Sequence, residues 1–370
     1  MISFVWSPGE RLPAGTGGSE NFTVGQVREL NRRAIPARVV TVGLGTADGR
    51  EEFDDVPFHC VADLDALATL DDTLIFVSEA PPVVTMHPAY QILHVPPPLR
   101  EHRQASVLAG TRNRTLIATS RYAAALWAEF LDVSLDTIRV VYPFAESAFA
   151  RQPRAQARPD ITRVLYAGRL TPEKGIYTLL SMLHTDLFDP GSVTFTATSA
   201  GADKPQGAII ERMLRTHPGI DLVPARRTPA GMASLLAEHD VVVMPSNSQY
   251  WHETFGIVSI EAQHAGCRVV ASHDGGLPET DCGALVLVRP DDAEALAQGI
   301  LAARDQGPVP LADRRRAGRD FTVADSVDSL LEALRAPAPP TPWAVIQELE
   351  ELVALPPAQP ATPSRAGRTR

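Results

Sequence analysis

Lysine is almost missing from this sequence. Of 34 basic residues in 370, Lys174 and Lys204 are the only lysines and the rest are arginine. Codon bias accounts for part of that skew, but it makes each lysine worth placing. Cysteine is scarce too. Cys60, Cys267 and Cys282 are odd in number and show neither a Cys-x-x-Cys pair nor zinc-ligand spacing, so they read as reduced thiols without a role. No apolar run approaches the roughly 18–20 residues of a membrane-spanning helix. The opening Met1-Ile2-Ser3-Phe4-Val5-Trp6 has no basic segment and too short an apolar stretch for a secretory signal, and reads as a first strand. An excess of positive charge is likewise absent. The net charge of −10 argues against a general nucleic-acid binder. The expected location is cytoplasmic.

What is present is a long alternation of apolar, β-branched runs and helical patterns. Strands are expected near 2–6, 38–43, 58–61, 73–78, 90–95, 114–118 and 138–142, with helices clearest at 22–34 and 120–131. Runs such as Val39-Val40-Thr41-Val42 and Leu74-Ile75-Phe76-Val77 lack in/out alternation, as strands covered on both faces do. Residues 144–160 lose the period and read as a linker. The rhythm then restarts, with strands near 164–166, 193–198, 220–223, 241–244, 268–271 and 284–288. Helices are expected near 175–184, 206–216, 229–239, 254–265 and 292–304, then near 310–320 and 323–335. The expected fold class is α/β, with two doubly wound Rossmann-like domains facing across a cleft. The expected divisions are 1–148, 149–320, return helices at 321–355 and a disordered tail at 356–370. Trp343, Ile346, Leu349 and Val353 recur at helical spacing within that return segment.

In open α/β sheets, ligands sit at the carboxyl ends of the strands. The first such turn, 13–20, contains Gly15, Gly17 and Gly18 ahead of a helix. Glycines admit close backbone approach, and a helix N-terminus offers free N–H groups to an anion. It is neither a Walker loop nor a Gly-x-Gly-x-x-Gly, and a flexible loop is the plain alternative. The second turn, Gly168-Arg169-Leu170-Thr171-Pro172-Glu173-Lys174-Gly175, puts two cations five residues apart, a fork and a point charge suited to a diphosphate. The third runs from Met244-Pro245-Ser246 to Glu253-Thr254-Phe255-Gly256-Ile257 and on to Glu261. Glu253 is expected to open a helix with Glu261 eight residues on, which puts the two glutamates roughly 12 Å apart along it. That is too wide for an acid–base pair on one glycosidic bond, and it suits gripping two hydroxyl-bearing ends of a long ligand. The alternatives are a helix cap for Glu253 and a solvated face for Glu261. The fourth, Asp274-Gly275-Gly276-Leu277-Pro278-Glu279, reads by itself only as a turn.

Taken in order, Gly-Arg-Leu with Lys-Gly, Glu-x7-Glu around Phe-Gly, and Gly-Gly-x-Pro-Glu resemble the donor domain of the family 4 retaining glycosyltransferases of the GT-B fold. The likeness covers about 164–280. It is compatible with the first half, where Gly17-Gly18 looks like the family's glycine loop. The resemblance implies transfer of a sugar from a nucleotide diphosphate donor, UDP or GDP, to an acceptor hydroxyl. It implies no metal or cofactor. Arg169 and Lys174 would hold the diphosphate, and Glu253 the sugar hydroxyls. The N–H groups of Phe255, Gly256 and Ile257 would face sugar and phosphate, and Glu261 would bind the ribose. Gly18 would let the first domain's backbone reach the phosphates, and His94 would touch the sugar near its anomeric centre. A helix at 323–335 would cross back to the first domain.

Several features depart from that pattern or stand outside it. Gln249-Tyr250-Trp251-His252 is bulky for its loop and either shapes the sugar pocket or packs. Asp63-Leu64-Asp65 reads as a helix start rather than a metal triplet. Arg100, His102, Arg103, Arg112, Arg114 and Arg121 read as a solvated or interdomain face, with peripheral contact to an anionic lipid surface as the alternative. Arg226-Arg227 is noted as a neighbour for the donor base. The acceptor, a small molecule, glycan or lipid-linked group, is not legible in the residues. A non-catalytic nucleotide-sugar-binding subunit on the same fold is the competing function. Gly43-Leu44-Gly45 alone is too little for a dinucleotide dehydrogenase.

Overall fold

The computed structural model describes residues 1–336 apart from 13–16, 46–52, 54, 78, 157, 159, 189–190 and 250. The tail helix expected around Trp343, the disordered end and part of the glycine loop lie outside the described residues.

Two all-parallel sheets account for the strands. The first comprises β1 (Ile2–Val5), β2 (Ala37–Val42), β3 (Phe58–Val61), β4 (Thr73–Phe76), β5 (Ala89–Leu93), β6 (Arg114–Ala118) and β7 (Ile138–Val140). The second comprises β8 (Thr162–Tyr166), β9 (Val193–Thr198), β10 (Ile220–Val223), β11 (Val241–Met244), β12 (Arg268–Ser272) and β13 (Leu285–Val288). Their orders are β3-β2-β1-β4-β5-β6-β7 and β10-β9-β8-β11-β12-β13. Each sheet reverses direction beside its own first strand, between β1 and β4 and between β8 and β11. Such switch points open a crevice at the strand carboxyl ends.

The helices are α1 (Gly18–Arg32), α2 (Leu64–Ala68), α3 (Glu101–Thr111), α4 (Arg121–Leu131), α5 (Ser147–Arg151), α6 (Ile176–Met182), α7 (Pro205–Thr216), α8 (Pro229–Ala237), α9 (Ile257–Ala265), α10 (Ala293–Asp305), α11 (Leu311–Ala317) and α12 (Val323–Arg335). This is the GT-B arrangement of two Rossmann-like units facing across a cleft. α12 crosses back to the first unit. Its Val327, Leu330 and Ala333 are buried in the first sheet's core, at a spacing that puts them on one helical stripe. Gln26 Nε2 donates to Ser326 Oγ at 2.8 Å, and the Tyr90 hydroxyl donates to Leu334 O at 2.8 Å.

Two sequence expectations need correction, and one is refined: residues 144–149 of the expected linker pack on both units. Phe144 stacks on Phe22 in the first core, while Phe149, on α5, is 1% exposed in the second. Apolar residues that serve two separate cores show no single period. The helix placed at 254–265 begins at Ile257. Gly276 N–H donates to Glu253 O at 2.7 Å and Gly256 is left-handed at φ +104°, so 253–256 form a loop outside the helix and the 12 Å rise does not apply to Glu253 and Glu261. Arg114 is not on a surface patch. It is 5% exposed, donates to Gln91 Oε1 (2.7 Å) and Pro81 O (2.6 Å), and lies 3.5 Å above the Phe76 ring. Burial pushes its pKa down to about 9. Asp63 caps α2, accepting from Ala66 N–H at 2.8 Å.

Candidate active site

The turn after β8 is built around a buried phenol. The Tyr166 hydroxyl donates to Arg169 O at 2.8 Å and lies 3.3 Å from Lys174 O, so one side chain brackets both cations. Gly175 then closes the turn with φ +72°. A Cβ there would lie 1.6 Å from Pro245 O, so only glycine lets this turn pack onto the end of β11. The result sets Lys174 across from the loop that precedes α9. Its Nζ lies 2.6 Å from both carboxylate oxygens of Glu253, with side chains 18% and 12% exposed. Arg169 lies exposed at the rim of the same cavity.

On the other wall, Phe255 sends its ring into the core against Tyr142 and Phe321, which anchors the backbone of the loop. Gly256 and Ile257 begin α9, whose first N–H groups have no partners within the helix and carry its positive dipole end. Gly18 faces this point from the first unit. A Cβ on it would come within 2.9 Å of Ile257 Cδ1, so the glycine sets how closely the units approach.

These residues enclose a cavity of about 410 Å³, lined by Gly17, Gly18, His94, Arg169, Lys174, Glu253, Phe255, Gly256 and Ile257 among others. Every expected site residue except Glu261 is on that wall. Glu261 lines an adjoining cavity of about 110 Å³, which shares Gly17, Gly18, Ile257 and Val258 with the larger one and has Arg226 at its side. Burial pushes the Glu261 carboxyl up to about 8, and the charge of Glu146 adds to it. His94 is edge-on to Phe22 at 5.0 Å, and its Nε2 is buried without a partner. Burial holds its pKa down at about 3, so the imidazole is neutral. It offers a hydrogen bond, not a charge. Lys204, by contrast, is 77% exposed and pairs with the exposed Asp203 at 3.7 Å.

Sequence reasoning missed several groups here. Glu20 lines the large cavity, and its carboxyl is raised chiefly by burial. The one signal for it was its place in the first turn of the helix after the glycine loop. Glu279 closes a turn in the sequence, yet its oxygens accept the N–H groups of Arg121 (2.9 Å) and Tyr122 (2.8 Å) and the Tyr142 hydroxyl (2.8 Å). It thus caps a helix of the opposite unit. Thr254 also bridges the units: its hydroxyl donates to His94 O at 2.6 Å, while its carbonyl accepts from Ser120 Oγ at 2.5 Å. Trp251, 39% exposed, lines the large cavity from the same loop. His252 Nδ1 lies 2.8 Å from Asp274 Oδ1 behind it. No helix among the described residues is long and apolar enough to cross a membrane.

Comparison with known proteins places this geometry. Residues 161–305 match the family model described as Glycosyl transferases group 1. A D-inositol 3-phosphate glycosyltransferase of Geodermatophilus obscurus is 32% identical over 202 residues, 51% of this chain and 43% of that protein, so the match spans less than half of the relative. Among solved structures, a glycosyltransferase from Rickettsia africae superposes with a TM-score of 0.71 at 16% identity, covering 91% of this chain and 99% of that one. The Anabaena HepE protein in complex with UDP and glucose superposes with a TM-score of 0.69 at 17% identity, covering 91% and 99%. The second sheet and its helices thus match the group 1 glycosyltransferases, and the chain as a whole has the GT-B fold of these solved structures.

Proposed function

We propose that this protein transfers a sugar from a nucleoside diphosphate donor to an acceptor hydroxyl with retention of configuration. The observation that carries the reading is Lys174 Nζ held against Glu253 in a cavity walled by the N-terminus of α9. In this reading the nucleoside lies by Glu261 and Arg226, and the diphosphate lies between Gly18, Arg169 and Lys174. The sugar reaches Glu253 and His94. The anomeric C–O bond to phosphate breaks with its electron pair going to the diphosphate. Arg169, Lys174 and the α9 N–H groups meet that charge, already oriented, so no enzyme nucleophile is needed. The acceptor oxygen forms the new bond on the face the diphosphate leaves, and its proton passes to a phosphate oxygen. Counter-charge comes from the chain itself, so neither metal nor cofactor has a role. UDP is the favoured nucleotide, with GDP next. A structural neighbour that binds UDP and glucose supports that preference. The acceptor enters from the first unit.

A thermal-shift panel of UDP, GDP, ADP and dTDP with their sugars tests the donor. One nucleotide family should raise the melting midpoint well above the others, because ligand binding stabilises by mass action. No stabilisation by any of them would overturn the reading. Binding without donor hydrolysis or transfer would instead identify a non-catalytic nucleotide-sugar-binding protein.

A further inference from the structure

Beyond His94, Val95 and Trp251, the large cavity adjoins another of about 540 Å³ on the first unit. Its lining is unlike the donor side. Trp127 from α4 and Trp251 from the opposite unit supply two indoles, and Pro96 and Pro98 add further apolar surface. Arg103, Val107 and Thr111 lie four residues apart on α3 and so share its cavity face.

Most polar groups on the inner wall are already engaged. Trp127 Nε1 donates to Val95 O at 2.8 Å. Gln91 uses Nε2 on Ile92 O (3.1 Å) and Oε1 on Arg114 (2.7 Å). The Thr111 hydroxyl donates to Val107 O at 2.8 Å. A polyhydroxyl sugar seated there would bury hydroxyls without partners, which is penalised. The exceptions are His94 Nε2, at the donor end, and Ser106, which is exposed on the α3 side. The remaining charge is Arg100 and Arg103 against the single carboxylate of Glu79. The two arginines follow the proline segment that leads away from His94.

We propose that the acceptor is an amphiphile with three parts: a hydroxyl at the His94 end, a flat apolar body in the cavity that Trp127, Trp251 and the prolines line, and an anionic group opposite Arg100 and Arg103. This rests on the donor reading above. Trp251 belongs to the second unit, so the apolar site is complete only when the units are closed. Acceptor specificity is thereby tied to closure.

The test uses the full chain with 6-hydroxy-2-naphthoate, 2-naphthol and glucose as probes, each titrated calorimetrically at saturating nucleotide. The hydroxynaphthoate should bind at least tenfold more tightly than glucose and more tightly than 2-naphthol. Arg103→Glu, at an exposed position, should erase the difference between the two naphthols. Val107→Asp should weaken both at least tenfold with nucleotide affinity unchanged. Glucose binding as tightly as the naphthols, or Arg103→Glu leaving their difference intact, would overturn the inference. Nucleotide affinity, measured first and separately, decides the donor reading. If the nucleotide binds and glucose is preferred, only the acceptor inference falls. If the nucleotide does not bind, the donor reading and the acceptor role fall together.

Discussion

Lys174 is where a composition skew became a chemical position. Its ammonium is a compact charge already pinned between two carboxylate oxygens. Lys174→Ala should lower kcat by roughly 10²–10³-fold, the range for removing one preorganised electrostatic contact. The far-UV spectrum should stay unchanged. Lys174→Arg should recover only part of the loss, because a planar fork cannot occupy the site of a point charge. Steady-state kinetics with the matched donor checks both, and near-normal turnover in Lys174→Ala would remove the assignment. Glu261 makes a pH-dependent prediction. Its folded pKa of about 8 stands above the ordinary 4.5, so the folded form binds the extra proton between those values. The carboxyl therefore lowers stability progressively as pH rises through that window. Ligand hydroxyls donating to the carboxylate would favour the charged form, so nucleotide binding near pH 7 should release a proton. Calorimetry in two buffers of different ionisation enthalpy should detect the release, and Glu261→Gln should abolish it. Equal proton release in wild type and Glu261→Gln would refute the role.

At the scale of elements, turn chemistry matters more than strand length. Gly175 joins the turn of Lys174 to α6 through a left-handed residue pressed on Pro245 O. Gly175→Ala should cost at least roughly 1–2 kcal/mol from the left-handed backbone alone, with the clash adding to it. Urea denaturation measures the loss. Activity should fall further than stability, since the same turn aims Lys174. Most strands and helices were legible because hydrophobic period and turn residues are local signals. The start of α9 was not. The four residues before it are held out of the helix by left-handed Gly256 and by a hydrogen bond to Glu253 O from Gly276, twenty-three residues after Glu253. Arg114 was misplaced for a similar reason. A charge in sequence reads as surface, and only the ring of Phe76 and the carbonyl of Pro81 show it to be interior.

At the scale of the whole molecule, two contacts from the second unit lock onto elements of the first. Glu279 accepts two N–H groups at the start of α4 and the hydroxyl of Tyr142, whose phenol is pushed up to about 12 by burial and by that bond. Glu279→Ala should leave both cores folded while loosening the closed arrangement. The expected outcome is a higher donor KM, several-fold, and a larger radius of gyration in solution scattering. An unchanged scattering profile and KM would show that the cap does not hold the cleft. α12 supplies the covalent return, and its buried stripe is part of the first core.

The amino-acid sequence by itself determined the alternation of strands and helices, the doubly wound class, and the turns that carry Arg169, Lys174 and the two glutamates. Each of these depends on neighbours within a few residues. Only the tertiary structure decided that Lys174 meets Glu253, that Glu279 caps a helix 158 residues away, and that Trp251 completes a cavity of the opposite unit. Those contacts join segments with no shared period. Their geometry exists only once both sheets are packed and closed across the cleft.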